Sequence, residues 1–154
     1  TSKRHCSMNS AIWQLMPKER LTEWKAFRTE LNELDDISDE DFLQTLVDWW
    51  RLAPLSNRVI DPYSSEEWPN PWDLLWHGLY DENVIALGMA YTLELCDWSC
   101  DILLVQDAGK SKVGLVIRLD NEYVLNHNYG IVDNVSVLDK CEILNTWYSD
   151  DLVK

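Results

Sequence analysis

The run Asp81-Glu-Asn-Val-Ile-Ala-Leu-Gly-Met-Ala-Tyr-Thr-Leu-Glu-Leu-Cys96 constrains this chain more than any other stretch. Between Val84 and Cys96 only Thr92 and Glu94 are strongly polar, so apolar side chains fall on every face of the helix it predicts. A helix that is apolar all round is buried. Asp81 is placed to cap its first turn, and Glu82 lies where the helix dipole favours an acid. Gly88 sits mid-helix, where glycine costs about 1 kcal/mol relative to alanine. Close approach of another backbone is the expected compensation. The run is shorter than the roughly 18 apolar residues of a membrane span. A central core helix with elements packed on several sides is therefore expected at about 82–96.

Helices are predicted before it. Pro17–Asp35 places Leu21, Trp24, Phe27, Leu31 and Leu34 at helical spacing, and its opposite face carries Lys18, Glu19, Arg20, Glu23, Lys25, Glu30 and Glu33, read as solvated. Ser38 with Asp41 three residues later is a capping signature, and the helix it opens ends near Leu52, before Ala53-Pro54. Asn70 caps a short helix with Pro71 in its first turn and Gly78 at its end.

After the central helix the period shortens. Ile102–Gln106, Val113–Leu119 and Tyr123–Asn126 read as three strands joined by short turns, an antiparallel meander apolar on both faces. Ile131–Leu138 alternates and adds a short edge strand, and Cys141–Lys154 closes the chain. The predicted class is α+β: N-terminal helices around a buried central helix, then a small antiparallel sheet. Residues 1–16 read as a tail whose end docks on the core, and 17–154 as a single domain. No secretory leader is predicted, because Thr1–Met16 holds no long apolar run.

Charge narrows the function. The 154 residues carry a net charge of −14. Residues 1–28 hold six basic and two acidic side chains, and the remainder seven basic and 25 acidic ones. So acidic a body repels phosphate backbones and anionic membrane, so neither nucleic acid nor membrane is an expected partner. Cys6, Cys96, Cys100 and Cys141 form no C-x-x-C pair and read as reduced thiols, without a metal site or cofactor. No phosphate-binding glycine loop, G-x-S-x-G elbow, H-E-x-x-H or calcium loop occurs.

Two features remain as candidate sites. Five of the nine tryptophans lie between Trp49 and Trp76, and the irregular stretch Trp68-Pro69-Asn70-Pro71-Trp72 reads either as an internal cluster or as a contact surface for a protein partner. For catalysis, His127 is the histidine in the most promising context, with Cys100 or Cys141 as its thiol partner; His77 reads as a rim residue and His5 as part of the tail.

The order of elements resembles transglutaminase-like and papain-like cysteine enzymes. These place a nucleophilic Cys at the start of a buried helix, then a His and an Asp or Asn on following strands. Here the corresponding positions hold Asp81-Glu82-Asn83, Val113-Gly114 and Asn126, so the resemblance implies a relative without the usual nucleophile. Trp49-Trp50-Arg-Leu-Ala-Pro54, Trp68–Trp72 and Ala86–Leu93 are similar to small proteins of T4-like, marine tailed bacteriophages, which implies a location in host cytoplasm or virion. The leading expectation is a non-enzymatic phage accessory or structural protein acting by protein–protein binding. The alternatives are a cysteine-type hydrolase or acyltransferase of transglutaminase-like fold, and an acidic DNA mimic that inhibits a host nucleic-acid-binding protein.

Overall fold

The computed structural model describes residues 10–55, 60–78, 80–109 and 112–152. His5 and Cys6, the tip of the hairpin loop at 110–111, and 56–59 of the tryptophan- and proline-rich connection lie outside the described residues. Helices α1 (Pro17–Asn32), α2 (Asp39–Trp50), α3 (Pro71–His77) and α4 (Glu82–Leu95) precede strands β1 (Asp101–Asp107), β2 (Lys112–Leu119), β3 (Tyr123–Leu125), β4 (Val132–Asn134) and β5 (Cys141–Tyr148), and the short helix α5 (Ser149–Leu152) follows. The class is α+β, as the pattern predicts. No helix of the described residues is long and apolar enough to cross a membrane.

The caps are those the sequence specifies. Ser38 Oγ accepts from the Asp41 N–H, Asn70 Oδ1 from Asp73 and Asp81 Oδ1 from Val84. Gly78 ends α3 in the left-handed conformation (φ 66°), which glycine adopts without the penalty other residues meet. Ser10–Gln14 forms a 3-10 turn, and Ile12 and Trp13 are buried.

Helix α4 is buried from Val84 to Leu93. The neighbour that Gly88 admits is an indole rather than a backbone: a Cβ on Gly88 would lie 2.4 Å from Trp50 Cη2. One turn on, the fully buried Thr92 hydroxyl accepts from Trp24 Nε1–H (3.0 Å) and Trp50 Nε1–H (3.1 Å) and donates to the Gly88 carbonyl (2.7 Å). A second correction concerns Arg20. It is buried rather than solvated, donating to the carbonyls of Leu75 and Trp76 at the end of α3 and to that of Leu15. Those carbonyls have no intrahelical donor, so a guanidinium there satisfies them and opposes the negative end of the helix dipole.

The sheet order is β4-β3-β2-β1-β5, with β1 antiparallel to both β2 and β5. Thus β1 to β4 form the expected meander, while β5 is a fifth strand that the sequence pattern does not announce. Ile102, Leu104, Leu115, Ile117, Leu119 and Leu125 face the helices. Leu103, Val105, Val116 and Val124 face the other way, under Leu138 of the 3-10 helix Val135–Lys140.

Two substitutions test the α4 contacts. Thr92→Val keeps the shape but leaves two buried indole N–H groups unpaired, at about 1–3 kcal/mol each. Gly88→Ala gains about 1 kcal/mol of helix propensity but forces a methyl into the Trp50 ring, and overpacking costs typically 1–3 kcal/mol. Both variants are expected to unfold at lower denaturant than the parent chain. A more stable Gly88→Ala protein would mean that the Trp50 ring yields to the added methyl.

Candidate active site

Strand β3 pairs only with residues 117–119 of β2, so the first half of β2 carries a row of backbone groups without a strand neighbour on that side. Side chains close part of this edge. The Leu115 N–H donates to Asn83 Oδ1 (3.0 Å), and Asn126 Nδ2–H donates to the carbonyls of Leu115 and Glu82 (3.0 Å each). Asn83, Gly114 and Asn126 belong to the three positions that the transglutaminase-like element order marks, Asp81-Glu82-Asn83, Val113-Gly114 and Asn126. The fold does bring them together beside Leu115. Their chemistry is amide to backbone, however, with no nucleophile and no base.

A cavity of about 230 Å³ opens at this edge, with Asn83, Gly114, Asn126, Asp107 and His127 among its lining residues. Asn126 has a φ of 70°, a left-handed turn that asparagine tolerates better than most residues. His127 follows directly. Its Nε2 lies 3.0 Å from Asp107 Oδ2 and 4.0 Å from Cys141 Sγ, and its Nδ1 lies 3.9 Å from Asp133 Oδ2. The side chains of His127, Asp107 and Asp133 are only 11%, 16% and 14% exposed.

The sheet register builds this cluster. Asp107 and Cys141 are directly opposed partners on β1 and β5, and opposed residues of an antiparallel pair project from the same face. That face is the one bearing Leu103 and Val105, away from α4. Asp107 Oδ1 accepts from the Gly109 N–H at the hairpin turn, which leaves Oδ2 for His127. Asp133 Oδ2 accepts from Asn128 Nδ2. Among the described residues, Asp107, His127 and Cys141 form a group whose candidate ligand atoms all lie within 4.8 Å of one another.

The other candidates are placed apart from this cluster. Cys100 is buried at the start of β1, where its N–H donates to Ser149 Oγ. Burial pushes the Cys100 thiol up to about 12, and burial likewise pushes Cys96 up to about 11. Trp68 is buried against Trp147 (ring centroids 4.6 Å apart) and donates its N–H to the Asp61 carbonyl. The Pro69 carbonyl accepts from the Tyr91 hydroxyl, and Pro71 is buried. Trp72 packs its ring edge on Trp24 and leaves about half its surface exposed. Sequence reasoning omitted Asp107 and Asp133 because acids are dense throughout the chain; the β1–β5 register is the signal that selects Asp107.

No protein-family model matches the chain, and no curated protein matches it. Solved structures do. The chain is similar to Legionella pneumophila LapG, with a TM-score of 0.65 at 14% identity over 85% of this chain and 75% of that one. Against calcium-bound LapG the TM-score is 0.67 at 13% identity, covering 90% and 79%. The chain thus shares the fold of LapG, and the element order that resembles transglutaminase-like enzymes agrees with that likeness. This corrects the leading expectation. A non-enzymatic phage accessory protein is not what the comparisons point to: the structural neighbours have a cysteine-protease fold, and no phage family emerges.

The thiol environments predict an order of alkylation. At pH 7 a thiol at about 11 is ionised in about one molecule in ten thousand, and one at about 12 in still fewer. Iodoacetamide near neutral pH is therefore expected to label Cys141, which is half-buried, before Cys96 and Cys100, as read by peptide mass mapping. Both raised thiols bind their protons more tightly folded than unfolded. Their contribution to stability is complete below about pH 9 and is lost as pH rises through about 11 and 12.

Proposed function

We propose that the chain is a cysteine-type hydrolase or acyltransferase in which Cys141 is the nucleophile and His127 its base. The reading rests on one observation: on a transglutaminase-like fold, Cys141 Sγ lies 4.0 Å from one ring nitrogen of His127, and the other ring nitrogen faces the Asp133 carboxylate. Thiol, imidazole and carboxylate in that order are the parts of an activated thiol, and ligand-free sites hold them more loosely than a reacting complex does. Burial of the Cys100 thiol just before β1 favours Cys141 over Cys100 in this role.

The steps follow from the placement. Nε2 of His127 rests 3.0 Å from Asp107 Oδ2; with the proton on Nδ1 and Nε2 turned from Asp107 to the thiol, it takes the Cys141 proton, and the thiolate attacks the acyl carbon of an ester or amide. As the tetrahedral intermediate collapses, the bond to the leaving group breaks and that group departs with the proton from His127. Water, or an acceptor amine or alcohol, then gives its proton to His127 and attacks the thioester, releasing the acyl group and restoring the thiol. Asp133 Oδ2 stands 3.9 Å from Nδ1, beyond hydrogen-bond distance, and as a nearby carboxylate it stabilises the ring when it is charged. At the helix start that the resemblance assigns to a nucleophile, Asp81-Glu82-Asn83 holds no cysteine, and Asn83 is committed to the β2 backbone.

The test uses p-nitrophenyl acetate as an acyl donor and intact mass as the readout. A single acetyl adduct is expected, mapping to Cys141. It should be lost in Cys141→Ala, retained in Cys100→Ser, and formed about 100-fold more slowly in His127→Ala, the low end of what a positioned general base contributes. Acetylation of Cys141 at the same rate with and without His127 would overturn the assignment.

A further inference from the structure

The catalytic reading leaves Asp107 unexplained. A thiol-activating site places the thiol and the orienting carboxylate on opposite nitrogens of the imidazole. Asp133 already serves the Nδ1 side. Asp107 instead approaches Nε2, the nitrogen that faces the thiol. A carboxylate beside a sulfur disfavours thiolate by like-charge repulsion, so this acid works against the nucleophile unless something positive lies between them.

We propose that Asp107 Oδ2, His127 Nε2 and Cys141 Sγ are three ligands of a site for zinc or a similarly soft divalent transition ion. The separations suit it. With Zn–S about 2.3 Å and Zn–N and Zn–O about 2.0–2.2 Å, tetrahedral geometry puts the ligand atoms about 3.4–3.6 Å apart. Here N to O is 3.0 Å, N to S is 4.0 Å, and all three atoms lie within 4.8 Å of one another. To reach tetrahedral separations the N–O pair opens by about 0.4 Å, the N–S pair closes by about 0.4 Å and the S–O pair closes by at most about 1.2 Å, shifts within reach of side-chain rotation.

The surroundings match a metal site as well. Metal-bound histidines commonly present their second ring nitrogen to a carboxylate, which fixes the tautomer and raises ligand basicity. Asp133 stands in that position behind Nδ1. Asp107 is held by the Gly109 N–H on its other oxygen, so Oδ2 is pre-aimed. The ligands come from opposed positions of two paired strands and from the segment after β3, and the three are mostly buried but not sealed. Asp107 and His127 help to line the cavity of about 230 Å³, which gives an entry path and room for water beside two of the three ligands. Calcium does not fit: it takes six to eight oxygen ligands, and this group supplies one carboxylate, one imidazole and one thiolate.

The metal site stands whether or not the thiol performs acyl transfer. Its consequence for activity rests on the catalytic reading above. A zinc ion on Cys141 Sγ and His127 Nε2 occupies both the nucleophile and the base, so the metal-bound form is silent and the metal-free form active.

Cobalt(II) titration of the full chelator-treated chain tests the site directly. A saturable one-to-one thiolate-to-cobalt charge-transfer band in the near ultraviolet is expected, displaced by zinc. It should be absent in Cys141→Ser, unchanged in Cys100→Ser, and shifted to at least about 10-fold higher cobalt in Asp107→Asn and in Asp133→Asn, the latter by the usual effect of an outer-shell partner. One equivalent of zinc should also slow alkylation of Cys141 in the parent chain. No band at excess cobalt, or a band that persists in Cys141→Ser, would overturn the site. The two readings fail separately. A cobalt band without His127-dependent acetylation removes the catalytic reading and leaves the metal site; acetylation without a band does the reverse.

Discussion

The structure hangs on one hydroxyl. Thr92 is a fully buried polar side chain in a helix that is apolar over most of its surface, and two indoles from two different helices donate to its hydroxyl. Each indole brings a large apolar surface and one N–H that must be paired once buried. A single acceptor that serves both fixes α1 and α2 on α4 at once, in one register. Gly88, one turn earlier, completes the arrangement, because the Trp50 ring lies where a side chain would be. A Leu at position 92 would fill similar space and fix nothing, since apolar contact is not directional.

With α4 so fixed, its first turn is pinned over the unpaired half of β2. There the start of α4 and the edge of β2 meet in a seam. Asn83 and Asn126 supply an acceptor and a donor to Leu115 as a neighbouring strand would. This satisfies an exposed strand edge, a feature that otherwise invites pairing with another chain. The cluster of Asp107, His127 and Cys141 lies on the face of the sheet away from α4, where β1 and β5 oppose an acid to a thiol.

Much of this was legible in the sequence, for reasons that can be named. Caps at Ser38, Asn70 and Asp81 are local hydrogen bonds between residues three apart, so sequence spacing contains them. The central helix is legible because an all-round apolar run has few other solutions. Strand β5 is not: Glu142-Ile143-Leu144-Asn145 does not alternate, because the strand is an exposed edge whose identity comes from its partner β1. Arg20 was misread for a similar reason. Its position on α1 looks solvated until the end of α3, about 55 residues on in sequence, arrives with unpaired carbonyls. His127 and Cys141 were each visible as candidates. Their meeting depends on the β1–β5 register and on the left-handed turn at Asn126, and neither is written in the spacing of the two residues.

The charge of the chain bears on what such a site accepts. A net charge of −14 raises the concentration of cations near the surface and lowers that of anions. At the cluster itself two carboxylates face one imidazole. Lys112, which also lines the cavity, is paired with Glu82 at 2.6 Å and adds no net positive charge there. An acyl donor rich in phosphate or carboxylate would enter against this field. A neutral or basic peptide-like donor, or a divalent cation, would enter with it. The field that would draw a divalent cation to the proposed site at Asp107, His127 and Cys141 would thus also select the class of acyl donor under the proposed thiol chemistry.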